Sequence, residues 1–290
     1  MAEYEIYTDS SCDLPRELID KYNLHVMQLE VIIDDNPPVL NCDLDIQNFY
    51  DQLRAGANAK TSAVTPGMFK EEMKKTLSEG KDILYLGFSS GLSATYNNGI
   101  MIIRQLQKDY PDRKMLYTDT LNATLGQGLI VCYAAELKKN GATIEEVLEK
   151  VEAMKQYVQL QVTVKDLFFL KRGGRLDTKS AMLGSMLQIK PIIIVNQEGK
   201  LENAGKVRGR KASIKTLFQR MKTNADLDTL NKVYISHSDC MEDAQELAEM
   251  IKEEWSNADI LIGDIGPVIG AHAGPGALVL VYVGKVLKGE

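Results

Sequence analysis

"DILYLGFSSGLSATYNNGIMIIRQLQ", residues 82–107, decides how the chain is read. After Asp82 comes a short unbroken apolar run, the pattern of a strand buried on both faces. Ser89, Ser90, Gly91 and Ser93 then make a loop of small residues, and apolar residues recur at helical spacing from about Leu92 to Gln107. A strand passing through such a loop into a helix is half of a βαβ unit.

The same grammar extends in both directions. "YEIYTD" (4–9) reads as a strand ending at Asp9-Ser10-Ser11, with Pro15 placed for a first helical turn. "HVMQLEVIID" (25–34) reads as one further strand, turned by "DNPP". Thr65 is an N-cap for a helix from Pro66 through Leu77. "KMLYTDT" (114–120) is a strand, and a helix from Thr124 to Lys139 stops at Asn140-Gly141. Thr143 and Glu146 have capping-box spacing and open the next helix. This alternation predicts a doubly wound, mostly parallel sheet over residues 1–157.

Beyond residue 157 the pattern changes. "QLQVTV", "KPIIIVN", "KLENAGKV", "KVYISHS", "ADILIGDIG" and "ALVLVYVG" read as strands, with helices near 166–172, 178–188, 210–223 and 240–255. Residues 158–290 are therefore expected to form a second α/β domain with a mixed or antiparallel sheet.

Composition narrows the function. The chain has 290 residues, is 44% hydrophobic and 26% charged, and carries a net charge of −6. That acidity argues against nucleic acid as partner, because phosphate binding needs a basic face. The N-terminus lacks an apolar signal-peptide core, and "ALVLVYVG" is far shorter than the roughly 20 residues of a spanning helix. Cys12, Cys42, Cys132 and Cys240 have no paired spacing, and three histidines make a Cys/His zinc site improbable. A cytoplasmic protein with reduced thiols, no metal and no stable membrane insertion is expected.

Ligands of parallel α/β sheets sit beyond the carboxyl ends of the strands. This chain places hydroxyls there repeatedly: Ser10 and Ser11, Ser89 to Ser93, Thr118 and Thr120, with Thr61-Ser62 just before the Thr65-Pro66 helix start. Hydroxyls and helix N-terminal amides suit an anionic head group, and each is also ordinary capping chemistry. There is no GxxxxGK[ST] and no GxGxxG after the first strand, so a nucleotide cradle is unsupported. "GFSSGL" resembles a nucleophile elbow only loosely, and Ser90 or Ser93 with His272 forms the alternative reading, a hydrolase of acyl or phosphate esters. His25 and His237 read as structural.

Two stretches remain. "LFFLKRGGRLDTKSAMLGSMLQIKPIIIVN" (167–196) gathers Phe168, Met186, Ile192 and Ile194 around a glycine pair; such a cluster is core by default and also suits a hydrocarbon ligand. "GKVRGRKASIK" (205–215) concentrates Arg208 and Arg210 with lysines, either a solvated face or a docking patch for an acidic or phosphate-bearing partner.

Seven motifs in order, "TDSSCDLP", "TSAVTPGMF", "GFSSGLSATYNN", "YTDT", "LKRGGRL", "KPII" and "IGPVIGAHAGPGALVLVYVG", make the chain similar to the DegV family of bacterial fatty acid-binding proteins. The resemblance spans essentially the full length. It implies two α/β domains with a fatty acid in a tunnel between them. It also implies a carrier with no catalytic residue of its own, which presents the carboxylate to a separate ATP-dependent fatty acid kinase for phospholipid synthesis. The implied carboxylate site is Thr61, Ser62, Ser93 and His272. Phe168, Arg172, Met186, Ile192 and Ile194 fall near the implied tunnel, and Arg208 and Arg210 in the segment linked to kinase engagement. Val64 stands where the motif usually has proline, Ala94 where glycine is common, and Asp177 where a hydroxyl is more usual. His272 is expected in a glycine-rich loop, close to backbone, titrating near neutral pH.

Overall fold

The computed structural model describes residues 3–176 and 188–290. A four-stranded parallel sheet has the order β2-β1-β6-β7, formed by β1 (Tyr4–Asp9), β2 (His25–Met27), β6 (Asp82–Gly87) and β7 (Met115–Asp119). Beside it lies a small antiparallel sheet of β3 (Glu30–Ile33), β4 (Val39–Leu40) and β5 (Ala59–Ser62). The remaining strands are β8 (Val158–Thr163), β9 (Ile189–Val195), β10 (Leu201–Arg208), β11 (Lys232–His237), β12 (Asp259–Asp264) and β13 (Leu278–Val283). They form a mixed sheet of order β10-β9-β8-β13-β11-β12, in which β11 and β12 run parallel and the other pairs antiparallel. The parallel and mixed sheets are those the sequence predicts.

The helices are α1 (Arg16–Lys21), α2 (Ile46–Arg54), α3 (Pro66–Ser78), α4 (Thr95–Asp109), α5 (Thr124–Lys139), α6 (Ile144–Lys155), α7 (Phe168–Arg172), α8 (Arg210–Asn224), α9 (Met241–Glu254) and α10 (Pro267–Ala273). Local chemistry accounts for several of their ends. Thr65 Oγ1 accepts the Met68 amide at 3.3 Å with Pro66 in the first turn, and Thr143 and Glu146 complete a reciprocal capping box. The opening stretch behaves as its pattern requires. β6 is buried throughout; Leu84 and Leu86 face the α5–α6 side, while Ile83 and Tyr85 face α3 and α4.

One expected strand is two. Residues 25–34 break at Gln28-Leu29, so β2 pairs with β1 while β3 pairs with β4 and β5 in another sheet. The Leu29 amide donates to Ser10 Oγ at 3.0 Å, and this bond to the loop after β1 holds the break. The helix expected at 178–188 lies, apart from Gln188, outside the described residues.

α5 positions everything that follows. Its small and apolar residues, including Gly126, Gly128, Leu129 and Ala134, are buried, and it packs against the turn Ser10–Cys12 after β1 and against β8, β11 and β13. Gly128 has no room for a Cβ, because the Cys12 carbonyl oxygen would lie 2.9 Å away. Through this close packing the carboxyl ends of the parallel strands face the mixed sheet, with a cavity between them.

Candidate functional site

The cavity takes its apolar wall from the mixed sheet and its polar groups from the loops beyond the parallel one. Leu160 and Val162 of β8, Ile193 and Val195 of β9, and Val279 of β13 line it. Their alternation along each strand is the two-residue period of side chains on one sheet face. The same period corrects the expectation for Ile192 and Ile194, which lie on the opposite face: Ile192 packs with Ile214 and Leu217 of α8, and Ile194 lines a different pocket. Phe168 is 55% exposed and does not line the cavity. Arg172 does not line it either; its guanidinium stacks 5.4 and 5.1 Å over the rings of Phe168 and Phe169. Met186 lies outside the described residues.

Thr61, Ser62, Ser93 and His272 come together on this one cavity. β5 carries Thr61 and Ser62 in register with Val31 and Glu30 of β3. Ser62 Oγ donates to Glu30 Oε2 at 2.9 Å. Ser93 precedes α4, where its hydroxyl accepts the Thr95 amide at 3.2 Å and contacts Thr95 Oγ1 at 3.0 Å. Thr95 is fully buried and accepts the Val64 amide, while Asn98 Nδ2 donates to the Val64 carbonyl at 2.9 Å. The two serine- and threonine-rich motifs are thereby locked to each other. Ala94 caps α4 without a side-chain bond and lines the cavity, so the positive end of this helix dipole adjoins it.

His272 is on a short helix, α10, rather than in a loop. Three bonds from the N-terminal half fix where that helix starts. Asp13 Oδ1 accepts the Gly266 amide at 3.0 Å, Asn41 Oδ1 accepts the Val268 amide at 2.9 Å, and Tyr50 Oη donates to the Ile265 carbonyl at 2.6 Å. Gly274 then turns the chain into β13 at φ +72, where a Cβ would lie 2.3 Å from the Phe169 ring. The small residues around His272 thus serve close packing against Tyr50, Phe169 and α7. Gly173 has the same role: a Cβ there would stand 2.3 Å from His272 Nδ1.

The imidazole contacts Thr61 Oγ1 through Nε2 at 2.8 Å, and its buried Nδ1 has no partner among the described residues. A bare acceptor is tolerated in a protein interior better than an orphaned N–H, which favours the tautomer with the proton on Nε2. Burial first, and then the charges of Arg175 and Arg172, lower the His272 pKa from 6.5 to about 4. The expected titration near neutral pH is thus corrected: His272 is neutral at physiological pH. Between pH 6.5 and 4 the unfolded chain binds a proton that the folded chain refuses, so His272 contributes stability above 6.5 that is lost as pH falls towards 4. The His272 Cε1–H resonance should therefore titrate with a midpoint near 4, and a midpoint at or above 6.5 would contradict this environment.

Arg175 is a cavity residue that sequence reading missed. It lines the cavity, with Nε donating to the Leu92 carbonyl at 3.2 Å and Nη1 to the Gly173 carbonyl at 2.6 Å. The signal was present in "LKRGGRL", whose second arginine follows the glycine pair that redirects the chain, with Gly174 at φ +67. Among the described residues it is the one charged side chain on the cavity wall.

Among the described residues, neither serine of the hydrolase reading hydrogen-bonds an imidazole. Ser90 is exposed, with its amide on Asp119 Oδ2, and Ser93 bonds to Thr95. Residues 87–91, "GFSSG", do carry the spacing GxSxG, centred on Ser89. That hydroxyl is fully buried and donates to the Gly199 carbonyl at 2.7 Å. Arg208 is exposed on β10, whereas Arg210 is engaged within the fold by Asp243 at 2.8 Å. Among the described residues no group of three or more His, Cys, Asp or Glu side chains is placed to hold a metal, and no helix is long and apolar enough to cross a membrane.

A parallel sheet facing a mixed one across an apolar cavity, with hydroxyls, an imidazole and one arginine on its described wall, defines an α/β protein whose cavity has both an apolar and a polar lining. The chain belongs to the DegV family: the family model described as "Uncharacterised protein, DegV family" matches residues 3–285. A DegV domain-containing protein of Clostridium perfringens is 41% identical over 98% of both chains. Among solved structures, a DegV lipid-binding protein from Thermotoga maritima is 28% identical with a TM-score of 0.85, covering 99% of this chain and 100% of its own. A fatty-acid-binding DegV family protein from Thermus thermophilus is 27% identical with a TM-score of 0.85, covering 98% of this chain and 100% of its own.

Proposed function

We propose that the chain binds a long-chain fatty acid in this cavity and presents its carboxylate to a separate ATP-dependent kinase. The observation that carries the reading is the joining, in one cavity, of an apolar wall with Thr61, Ser62, Ser93, His272 and Arg175. The names of the Thermotoga and Thermus neighbours, as lipid- and fatty-acid-binding proteins, support it. We take residues 1–157 and 158–290 as the two lobes that enclose the ligand.

The chemistry follows from the hydrogen bonds. Nε2–H of neutral His272 donates to Thr61 Oγ1, leaving the Thr61 proton for the ligand carboxylate. Arg175 supplies a positive charge on the wall, and the hydroxyls supply direction. In the kinase reaction a carboxylate oxygen attacks the γ-phosphorus of ATP, the bond to the bridging oxygen breaks, and ADP leaves with an acyl phosphate formed. The carrier's part is to hold that oxygen accessible and oriented. Arg208, exposed on β10, is available to a partner surface, and Arg210 would first have to leave Asp243.

Hydrogen bonds to a charged group contribute about 1.5–3 kcal/mol each, whereas a dozen buried methylenes give on the order of 10 kcal/mol gross. His272→Ala and Thr61→Val should therefore keep their bound lipid while acyl phosphate formation with a kinase falls about ten- to a hundredfold. Lipid extraction and a coupled kinase assay on each variant check this; a lipid-free variant with normal turnover would sink it. Among the described residues, a hydrolase reading rests on the Thr61–His272 contact, and no carboxylate there orients His272 Nδ1. Ester turnover by the isolated protein would favour that reading.

A further inference from the structure

β8 alternates as if one face were solvated, "VQLQVT", yet its polar face is buried: Gln159 is 8% exposed, Gln161 3% and Thr163 0%. A buried strand face normally carries apolar side chains. Here the glutamines line a second pocket, on the side of β8 away from the acyl cavity, together with Arg220, Thr223 and Asn224 of α8 and Tyr282 of β13. Gln161 Nε2 donates to Tyr282 Oη at 2.5 Å and Gln159 Nε2 to the Val286 carbonyl at 2.9 Å. Gln161 Oε1 has no partner among the described residues. Turning that amide over would satisfy its oxygen at Tyr282 and strand its nitrogen instead, so one of its polar atoms is orphaned in either orientation. Arg220 Nε is also buried, without a partner among the described residues.

Buried polar atoms are nearly always satisfied, by protein, water or ligand. We propose that this pocket binds a small organic carboxylate, with the guanidinium edge of Arg220 taking the carboxylate and the Gln161 amide a second polar group. A guanidinium edge matches a carboxylate in shape and charge, and the described lining residues offer that charge little competition beyond Glu290. Apolar lining is limited to Ile194, Tyr282 and Val286, too little for an acyl tail, so this ligand differs in kind from that of the first cavity. The proposal is independent of the fatty-acid reading, although Gln161 lies between Leu160 and Val162 of the acyl cavity.

The test is titration of the full chain as purified with succinate and with acetate, followed by calorimetry and ligand-observed NMR. Saturable binding of at least one acid is expected. It should weaken at least about tenfold in Arg220→Gln and in Gln161→Leu, and less in Arg220→Lys, which keeps the charge. Extracted fatty acid should be unchanged in all three, with thermal unfolding confirming that each variant folds. No saturable binding of either acid, or equal binding by wild type and all folded variants, would overturn the proposal and leave a water-filled pocket.

Discussion

Val279→Trp should purify almost free of fatty acid. Val279 is 2% exposed in the middle of the mixed sheet, lines the cavity, and stands opposite Val162 in the β13–β8 ladder. An indole there occupies the volume that the acyl chain needs. Tail burial supplies on the order of 0.8 kcal/mol per methylene, so excluding half of a dozen methylenes removes about 5 kcal/mol, more than any single polar contact provides. The substitution also overpacks a core, at a typical 1–3 kcal/mol in stability. Thermal unfolding should therefore show a modest loss, while extraction and mass spectrometry show lipid falling from stoichiometric to near zero. A folded Val279→Trp protein that still carries a full complement of fatty acid would mean that the ligand lies elsewhere.

Gly173→Ala should do the reverse, keeping the lipid and losing the transfer. Gly173 ends α7 at φ −71, a backbone angle alanine accepts, so the effect comes from space alone. The new methyl would lie 2.3 Å from His272 Nδ1, and the imidazole must rotate or shift away. Either movement breaks the 2.8 Å contact with Thr61 and takes the hydroxyl out of its orientation. Acyl phosphate formation with a kinase should drop by about the same ten- to hundredfold as in His272→Ala, and the double variant should be no worse than His272→Ala alone. Independent, multiplying losses would show that Gly173 acts through something other than His272.

These two substitutions touch the parts of the protein that were unequally legible in its sequence. β6 and α4 were plain because an unbroken apolar run and a 3.6-residue period arise from local geometry. The division of residues 25–34 between two sheets was not, since the bond that holds the break comes from Ser10, distant in sequence. The wall of the cavity on β9 is one residue out of step with the sequence expectation: an apolar run such as "IIIV" gives no sign of which side faces which layer, and Ile193 and Val195 line the cavity while Ile192 and Ile194 face away. β8 is the mirror case: its two-residue period is visible in the sequence, while the burial of its polar face comes from packing distant in sequence. Thr61, Ser62, Ser93 and His272 were found through the resemblance of whole motifs. The neutral state of His272 depends on burial and on arginines that approach through tertiary packing, which one-dimensional spacing does not express.

Organic extraction of the freshly purified protein, followed by mass spectrometry, tests the central claim most directly. The account predicts one long-chain fatty acid per protein, displaced in Val279→Trp and retained in Gly173→Ala. A wild-type protein free of lipid, under conditions in which a known fatty-acid carrier keeps its own, would contradict it.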